Sequence, residues 1–375
     1  MNPRKLISRF AKALKFSDRK RASKMVYEYL VYKFTKPELA LQYFNKFLFR
    51  QSVTNPDDYI VTPEIEEQVW YYNDMNYKSI LSQKHTSELF FSKFNIPVVR
   101  SFAFNDNHLF FNGNDHTLIN SSRELKDFLI SLKNKGIWHG ESMIVKMKDG
   151  SYGGMNILKI SFSDIRDNKS VLGSLYSQII KSGYLFQDII VQHPELNKVN
   201  PNSLNSIRID TFTNKEGIPK IFNTTLRFSC SESYIDNISH GGMFTGINLE
   251  TGQLHPEAFS NFDNDNREVL LSHPLTGLVF KDFQIPFFQQ VKQLAIDAAK
   301  LLPLARVVGW DICITPDGPV LLEGNYYNGL YRFELGQNGL RKNHVFRELL
   351  IELNRYYNEE GNNLDELKKK YPLYV

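Results

Sequence analysis

The run Gly309-Trp310-Asp311-Ile312-Cys313-Ile314-Thr315-Pro316-Asp317-Gly318-Pro319-Val320-Leu321-Leu322-Glu323-Gly324-Asn325 decides how the rest of this 375-residue chain is read. Two short apolar-rich stretches flank Pro316-Asp317-Gly318, a three-residue hairpin loop in which glycine supplies the left-handed residue. Counting outward pairs Thr315 with Pro319, Ile314 with Val320 and Ile312 with Leu322, giving an apolar face and burial on one side only. The other face sets Asp311 opposite Glu323, with Asn325 two residues along the same side. Cross-strand neighbours lie roughly 5 Å apart at Cβ and like charges there repel, so a cation is expected between them. Two carboxylates and an amide oxygen are hard ligands, the set that suits Mg²⁺ shared with substrate phosphates. The competing reading is a surface hairpin with two solvated acids.

The composition, 42% hydrophobic and 23% charged with 28 Phe and 19 Tyr, predicts a folded globular protein of two or three lobes. Two cysteines, Cys230 and Cys313, exclude a disulfide framework and a zinc pattern. Cys313 projects to the same side as Asp311 and reads as a small core thiol. The lack of an 18-residue apolar run and of a secretory pattern leads us to expect a soluble, cytoplasmic protein. The net charge of +4 is unevenly spread: nine basic residues against Asp18 give residues 1–24 a charge of +8, leaving −4 on the remainder. Leu6, Ile7, Phe10, Ala13 and Leu14 recur there at helical spacing. Such a segment either lies on an anionic membrane surface or packs its apolar stripe on the body. A nucleic-acid partner is not expected, since the basic block is short.

Apolar spacing predicts helices over Tyr27–Phe34, Pro37–Phe49 and Pro63–Leu81 within residues 25–82, and the helical N-terminal region is set at 1–78. A helix His85–Phe94, a strand Val98–Phe104 and a helix Ser121–Lys133 follow. Strands Ser142–Met147 and Met155–Ile160 flank the break Asp149-Gly150-Ser151-Tyr152-Gly153-Gly154. A helix Val171–Ser182 leads into the strand Tyr184–Val191, strands dominate 205–250, and helices are expected at 286–302 (Phe287, Val291, Leu294, Ala298 and Leu301 inward) and near His344–Tyr357. Lys146 beside a glycine-rich break could meet phosphates, although this is not a Walker pattern. The edge Gln187-Asp188-Ile189-Ile190 is either an adenine-binding strand or plain sheet. Arg208, alternating with apolar residues, either faces inward toward an anion or is exposed.

The order of these parts resembles the ATP-grasp superfamily, and within it the sugar-transfer-associated ATP-grasp family. The resemblance spans about residues 80–345. It is carried by Gln192-His193-Pro194-Glu195-Leu196, Ser203-Leu204-Asn205-Ser206-Ile207-Arg208, His273-Pro274-Leu275-Thr276-Gly277 and the hairpin quoted first. It implies an α+β ATP-grasp fold with a small lobe over 79–188, a large lobe over 189–375, and ATP between them. Lys84 and Lys146 would sit on the phosphates under a lid containing Gly153 and Gly154. Gln187 and Ile190 would line the adenine, His193 to Glu195 the ribose, Asp311, Glu323 and Asn325 would hold Mg²⁺, and Arg208 would face the transferred phosphate. The chain departs from many ATP-grasp enzymes in having Gln187 where they carry Glu.

By the same resemblance the expected activity is ATP-dependent joining of a carboxylate to an amine through an acyl phosphate. The acceptor would be a sugar acid such as a uronic acid and the amine an amino acid, in surface-polysaccharide assembly. Work at the inner face of the membrane, through residues 1–24, would fit that role. Phosphorylation of a hydroxyl is the alternative. A glycosyltransferase reading rests on Asp263-Asn264-Asp265, and Arg227 with the stretch Asp236-Asn237-Ile238-Ser239-His240-Gly241-Gly242 is a candidate for shaping an acceptor site, Asp236 and His240 reading equally well as structural.

Overall fold

The computed structural model describes residues 3–149, 157–231, 242–263 and 269–372. They divide into two compact units. One comprises 79–191 with 320–322; the other takes in 1–78, 192–319 and 323–375.

The smaller unit holds a six-stranded sheet: β1 (Ser101–Asp106), β2 (Leu109–Asn112), β3 (Asp115–Leu118), β4 (Ser142–Met147), β5 (Ile157–Ser161) and β6 (Gly183–Asp188), in the order β3-β2-β1-β6-β4-β5. Helices Ser122–Asn134, its N-terminus capped by Ser121 on the Glu124 amide, and Lys169–Ile179 present Leu125, Leu129, Leu132, Leu172, Leu175 and Ile179 to the core. That core includes Met143, Val145 and Phe186, so the helices cover one sheet face. Strand alternation places Ile144, Lys146 and Gln187 on the other face.

The larger unit holds β7 (Ser206–Thr213), β8 (Pro219–Ser229), β9 (Gly242–Ile247), β10 (Leu254–Phe259), β11 (Val307–Thr315) and β12 (Gly318–Asn325), in the order β10-β9-β8-β7-β11-β12. β11 therefore lies inside the sheet, and every residue of it except Thr315 is buried. This corrects the expectation of burial on one side of the hairpin: both faces are covered. In β12 it is Leu321, not Val320 or Leu322, that is fully buried, its amide bonded to the Pro97 carbonyl.

The many phenylalanines have a clear location. Phe16, Phe44, Phe47 and Phe49 from the N-terminal stretch pack with Phe244, Phe259, Phe262 and Phe333 in one cluster. Phe44 and Phe16 stack on Phe262 at 5.7 and 6.0 Å between centroids. These aromatics override helical spacing after Gln42: the helix Pro37–Gln42 stops there, and Phe47 adopts a left-handed φ of 51°. A wholly buried ion pair between Lys46 and Glu334, 2.9 Å, fixes the same stretch against the segment that follows β12. Glu334 also accepts from the amides of Ile60, Val61 and Leu340.

In the helix Pro3–Ala13 the inward side is Leu6, Phe10 and Ala13, while Ile7, and Leu14 just past its end, stay exposed. Arg9 is buried in an ion pair with Asp263. For its inward residues the segment thus takes the packed alternative. Among the described residues no helix is long and apolar enough to cross a membrane.

Candidate active site

In the smaller unit, Lys84, Ser87, Glu88, Val98, Val99, Lys146, Gln187, Leu321 and Leu322 line one narrow cleft of ≈ 10 Å³, about the space of a single water. Lys84 opens the helix Lys84–Lys93, its amide bonded to the Lys148 carbonyl. Gln187 stands opposite Ser101 and Ile144 in the ladders, and its Nε2 donates to Ser101 Oγ at 3.1 Å. The two lysines and the glutamine named from sequence are therefore brought together. Ile190 is not in this cleft; it lies beyond the end of β6. Gly153, Gly154, Asp236 and His240 lie outside the described residues.

In the larger unit the ladders build a polar grid on one sheet face. Arg227 stands opposite Ser206, Thr225 opposite Arg208 and Asn223 opposite Asp210 between β8 and β7. Asp311 stands opposite Arg208 and Gly309 opposite Asp210 between β11 and β7. Arg208 donates through Nε to Asp311 Oδ1 at 2.6 Å and through Nη2 to Oδ2 at 3.2 Å. Arg227 Nη2 lies 3.0 Å from Oδ2, and Asn325 Nδ2 donates to Oδ2 at 3.2 Å. Glu323 lies beside the same carboxyl. Burial alone would raise the Asp311 pKa, but Arg208 and then Arg227 outweigh it and hold it below the usual carboxylate value.

Asp311, Glu323 and Asn325 thus share one side, as the register argument required. The cation beside Asp311, however, is supplied by two arginines. Arg208 has its remaining Nη1 on the Asn328 carbonyl at 2.6 Å and its guanidinium 5.0 Å from the Phe333 ring centroid. It faces Asp311 because the two are cross-strand partners, and it is not left pointing into open space. Gly309 makes room for this: a Cβ there would sit 2.8 Å from Arg208 Nη1 and 2.9 Å from Asp210 Oδ1.

The residues fit a hard divalent ion in kind. Asp311 is kept ionised, while Glu323 and Asn325 remain half-buried and accessible on its side. Among the described residues no three His, Cys, Asp or Glu side chains are grouped for a metal, so such a site must also draw on the amide. Asp311 itself already accepts from two guanidiniums.

His193 caps the short helix Pro194–Asn197, its Nδ1 accepting from the Glu195 amide at 3.1 Å. Glu195 pairs with Lys198 at 2.7 Å. The motifs around them form a buried polar knot. Gln192 Oε1 accepts from the Asn205 amide at 2.6 Å, Asn205 Nδ2 donates to the carbonyls of Leu196 and Asn200, and Asn200 Nδ2 donates to the Ser229 carbonyl at 2.9 Å. His273 Nε2 lies 2.8 Å from that Ser229 carbonyl, and Thr276 Oγ1 donates to the Val199 carbonyl. Burial keeps His273 below its ordinary pKa despite that contact, which suits a neutral donor. The knot fixes the chain entering β7, two residues before Arg208.

Sequence reasoning missed Arg227 as a partner of Asp311, and it missed Asp210; the alternation Arg208-Ile209-Asp210 was the available signal for the latter. Asp210 is fully buried, accepts from Asn223 Nδ2 at 2.7 Å, and has Oδ1 without a partner among the described residues, as have Thr225 Oγ1 and the Asn328 amide. Buried groups of this kind are ordinarily met by water. Burial pushes the Asp210 carboxyl up to about 7 against the opposing pull of Arg208. Since the folded pKa exceeds the unfolded one, the stability it confers is present below about pH 4 and is lost as pH rises to about 7. Asp210→Asn is therefore expected to gain on the order of 3 kcal/mol over the parent at pH 8 and nothing near pH 4. Chemical denaturation at both pH values checks this; parallel curves would refute it.

A model of the family described as sugar-transfer associated ATP-grasp matches residues 68–347. No curated protein matches the chain. Among solved structures, the D-alanine–D-alanine ligase from Coxiella burnetii is 13% identical, with 80% of this chain and 63% of that one covered at a TM-score of 0.41. The D-alanine–D-alanine ligase from Bacillus anthracis complexed with ATP is 12% identical, with 77% and 71% covered at 0.44. The ATP-grasp ligase PsnB complexed with minimal precursor, Mg and ADP is 15% identical, with 76% and 62% covered at 0.39. The chain thus spans less than two thirds of the Coxiella and PsnB proteins.

Proposed function

The chain belongs to the sugar-transfer associated ATP-grasp family, and from that premise we propose that it is an ATP-dependent carboxylate–amine ligase acting on a sugar acid or glycan in surface-polysaccharide assembly. The observation that carries the reading is Asp311, Glu323 and Asn325 gathered on one face of the sheet. Lys84 and Lys146 beside Gln187 support the nucleotide half of it.

In this reading a substrate carboxylate oxygen attacks the γ-phosphorus of ATP and ADP leaves. The amine nitrogen then attacks the acyl carbon, phosphate departs and the nitrogen loses a proton. For the first step a protein mainly positions groups and offsets charge. Lys84 and Lys146 would hold the triphosphate. Glu323 and Asn325, with Asp311 behind them, would hold Mg²⁺, which when bound neutralises β- and γ-phosphate oxygens. Arg208 and Arg227 act through Asp311, fixing its orientation and keeping it ionised, so they are positioning residues.

Lys146→Ala is expected to raise the KM for ATP at least tenfold with little change in thermal stability, since the side chain is only half-buried; steady-state ADP release checks this, and an unchanged KM would contradict it. The proposal itself is tested by screening uronic acids for ADP release with and without amino acids, followed by mass spectrometry. An amide product supports it. A phosphate ester would make the enzyme a phosphotransferase, and nucleotide-sugar turnover without ATP would point to a glycosyltransferase.

A further inference from the structure

The helix Ala22–Thr35 is apolar on two opposite sides, and only one of them is covered. Met25 and Tyr29 face the core, where Tyr29 meets Phe10 at 5.6 Å and Tyr43 at 5.9 Å. On the reverse, Val26 is 47%, Tyr27 69%, Leu30 47% and Phe34 79% exposed. At about 100° per residue these four fall within roughly 100° of arc, with Lys33 at one border and Lys24 toward the other. Leu41, 58% exposed, follows in the next helix.

A surface helix ordinarily turns polar residues outward, so this face is built to be covered. Its charge says by what. Glu28 is the only acid in the helix, and it points inward to Lys20 at 2.9 Å and to the Tyr43 hydroxyl at 3.0 Å. Around the face, Arg21, Lys24 and Lys33 are exposed, as are Arg4, Lys5 and Lys15 in the preceding segment. Lysines bordering an apolar stripe can keep their heads in an anionic headgroup layer while the stripe enters it.

We infer that the outer face of the helix Ala22–Thr35 docks on an anionic lipid surface through Tyr27, Leu30 and Phe34. This is a different surface from the stripe of residues 1–24, whose Leu6, Phe10 and Ala13 are turned inward, and it stands apart from the nucleotide chemistry.

The test is co-sedimentation of the full chain with phosphatidylcholine vesicles, alone or with about a quarter phosphatidylglycerol. The parent is expected to sediment with the anionic vesicles and to be released by high salt. The triple variant Tyr27→Ser, Leu30→Ser, Phe34→Ser should bind at least tenfold more weakly. So should Lys24→Glu with Lys33→Glu, which leaves the apolar stripe intact and serves if the triple variant fails to fold. A parent that stays in the supernatant, binds neutral vesicles equally, or is matched by both variants would overturn the inference. So would a dimer by light scattering that ignores vesicles and dissociates in the triple variant, because the face would then be a contact between copies.

Discussion

Asp311→Asn is expected to destabilise the protein by about 3 kcal/mol or more as well as to lose ATP turnover. A hairpin buried on one side only, as read from sequence, would leave this acid partly solvated and the fold indifferent to its loss. The carboxyl is instead fully buried between Arg208 and Arg227. Neutralising it deprives two guanidiniums of the carboxylate they share, and the loss of one partner from a buried pair is costly. Asparagine can still accept from Arg208, so the loss is one of charge more than of shape. Urea unfolding of parent and variant measures the difference. A change within about 0.5 kcal/mol would mean the arginines do not depend on Asp311.

Glu323→Gln should do the reverse: turnover falls at least a hundredfold while stability stays within about 1 kcal/mol of the parent. Glu323 is half-buried at the end of β12, beside Asp311 but not enclosed by it. Gln keeps the shape and a hydrogen-bonding oxygen and removes the charge that a divalent ion would need. Steady-state ADP release together with thermal unfolding reads both quantities. Near-parent turnover would remove Glu323 from the ligand set. The contrast between the two variants separates a residue that holds the sheet face together from one that serves the ligand.

Much of the fold was legible because period and turn chemistry agreed locally. Ser142–Met147 is a strand at the expected bounds, and Ser121, where a helix was expected to open, caps the helix Ser122–Asn134. The misreadings come from tertiary packing. Phe287 was placed on the inward side of the helix expected over 286–302, but it precedes the helix Phe288–Lys300 in a left-handed conformation and is partly exposed. The register of Asp311, Glu323 and Asn325 could be counted from one turn. Their partners could not, since Arg208 and Arg227 arrive from strands about a hundred residues earlier. The expected ribose contact of His193 and Glu195 was read from a motif alone. What that motif visibly does is cap a turn and, through Gln192, Asn200 and Asn205, anchor the strand bearing Arg208.

The most direct measurement of the central claim is calorimetric binding of a non-hydrolysable ATP analogue to the full chain, with Mg²⁺ and with a chelator. The account predicts saturable binding with Mg²⁺, at least tenfold weaker with chelator present, and the same weakening in Glu323→Gln even when Mg²⁺ is supplied. Binding indifferent to both Mg²⁺ and Glu323, or no binding at all by a folded protein, would contradict it.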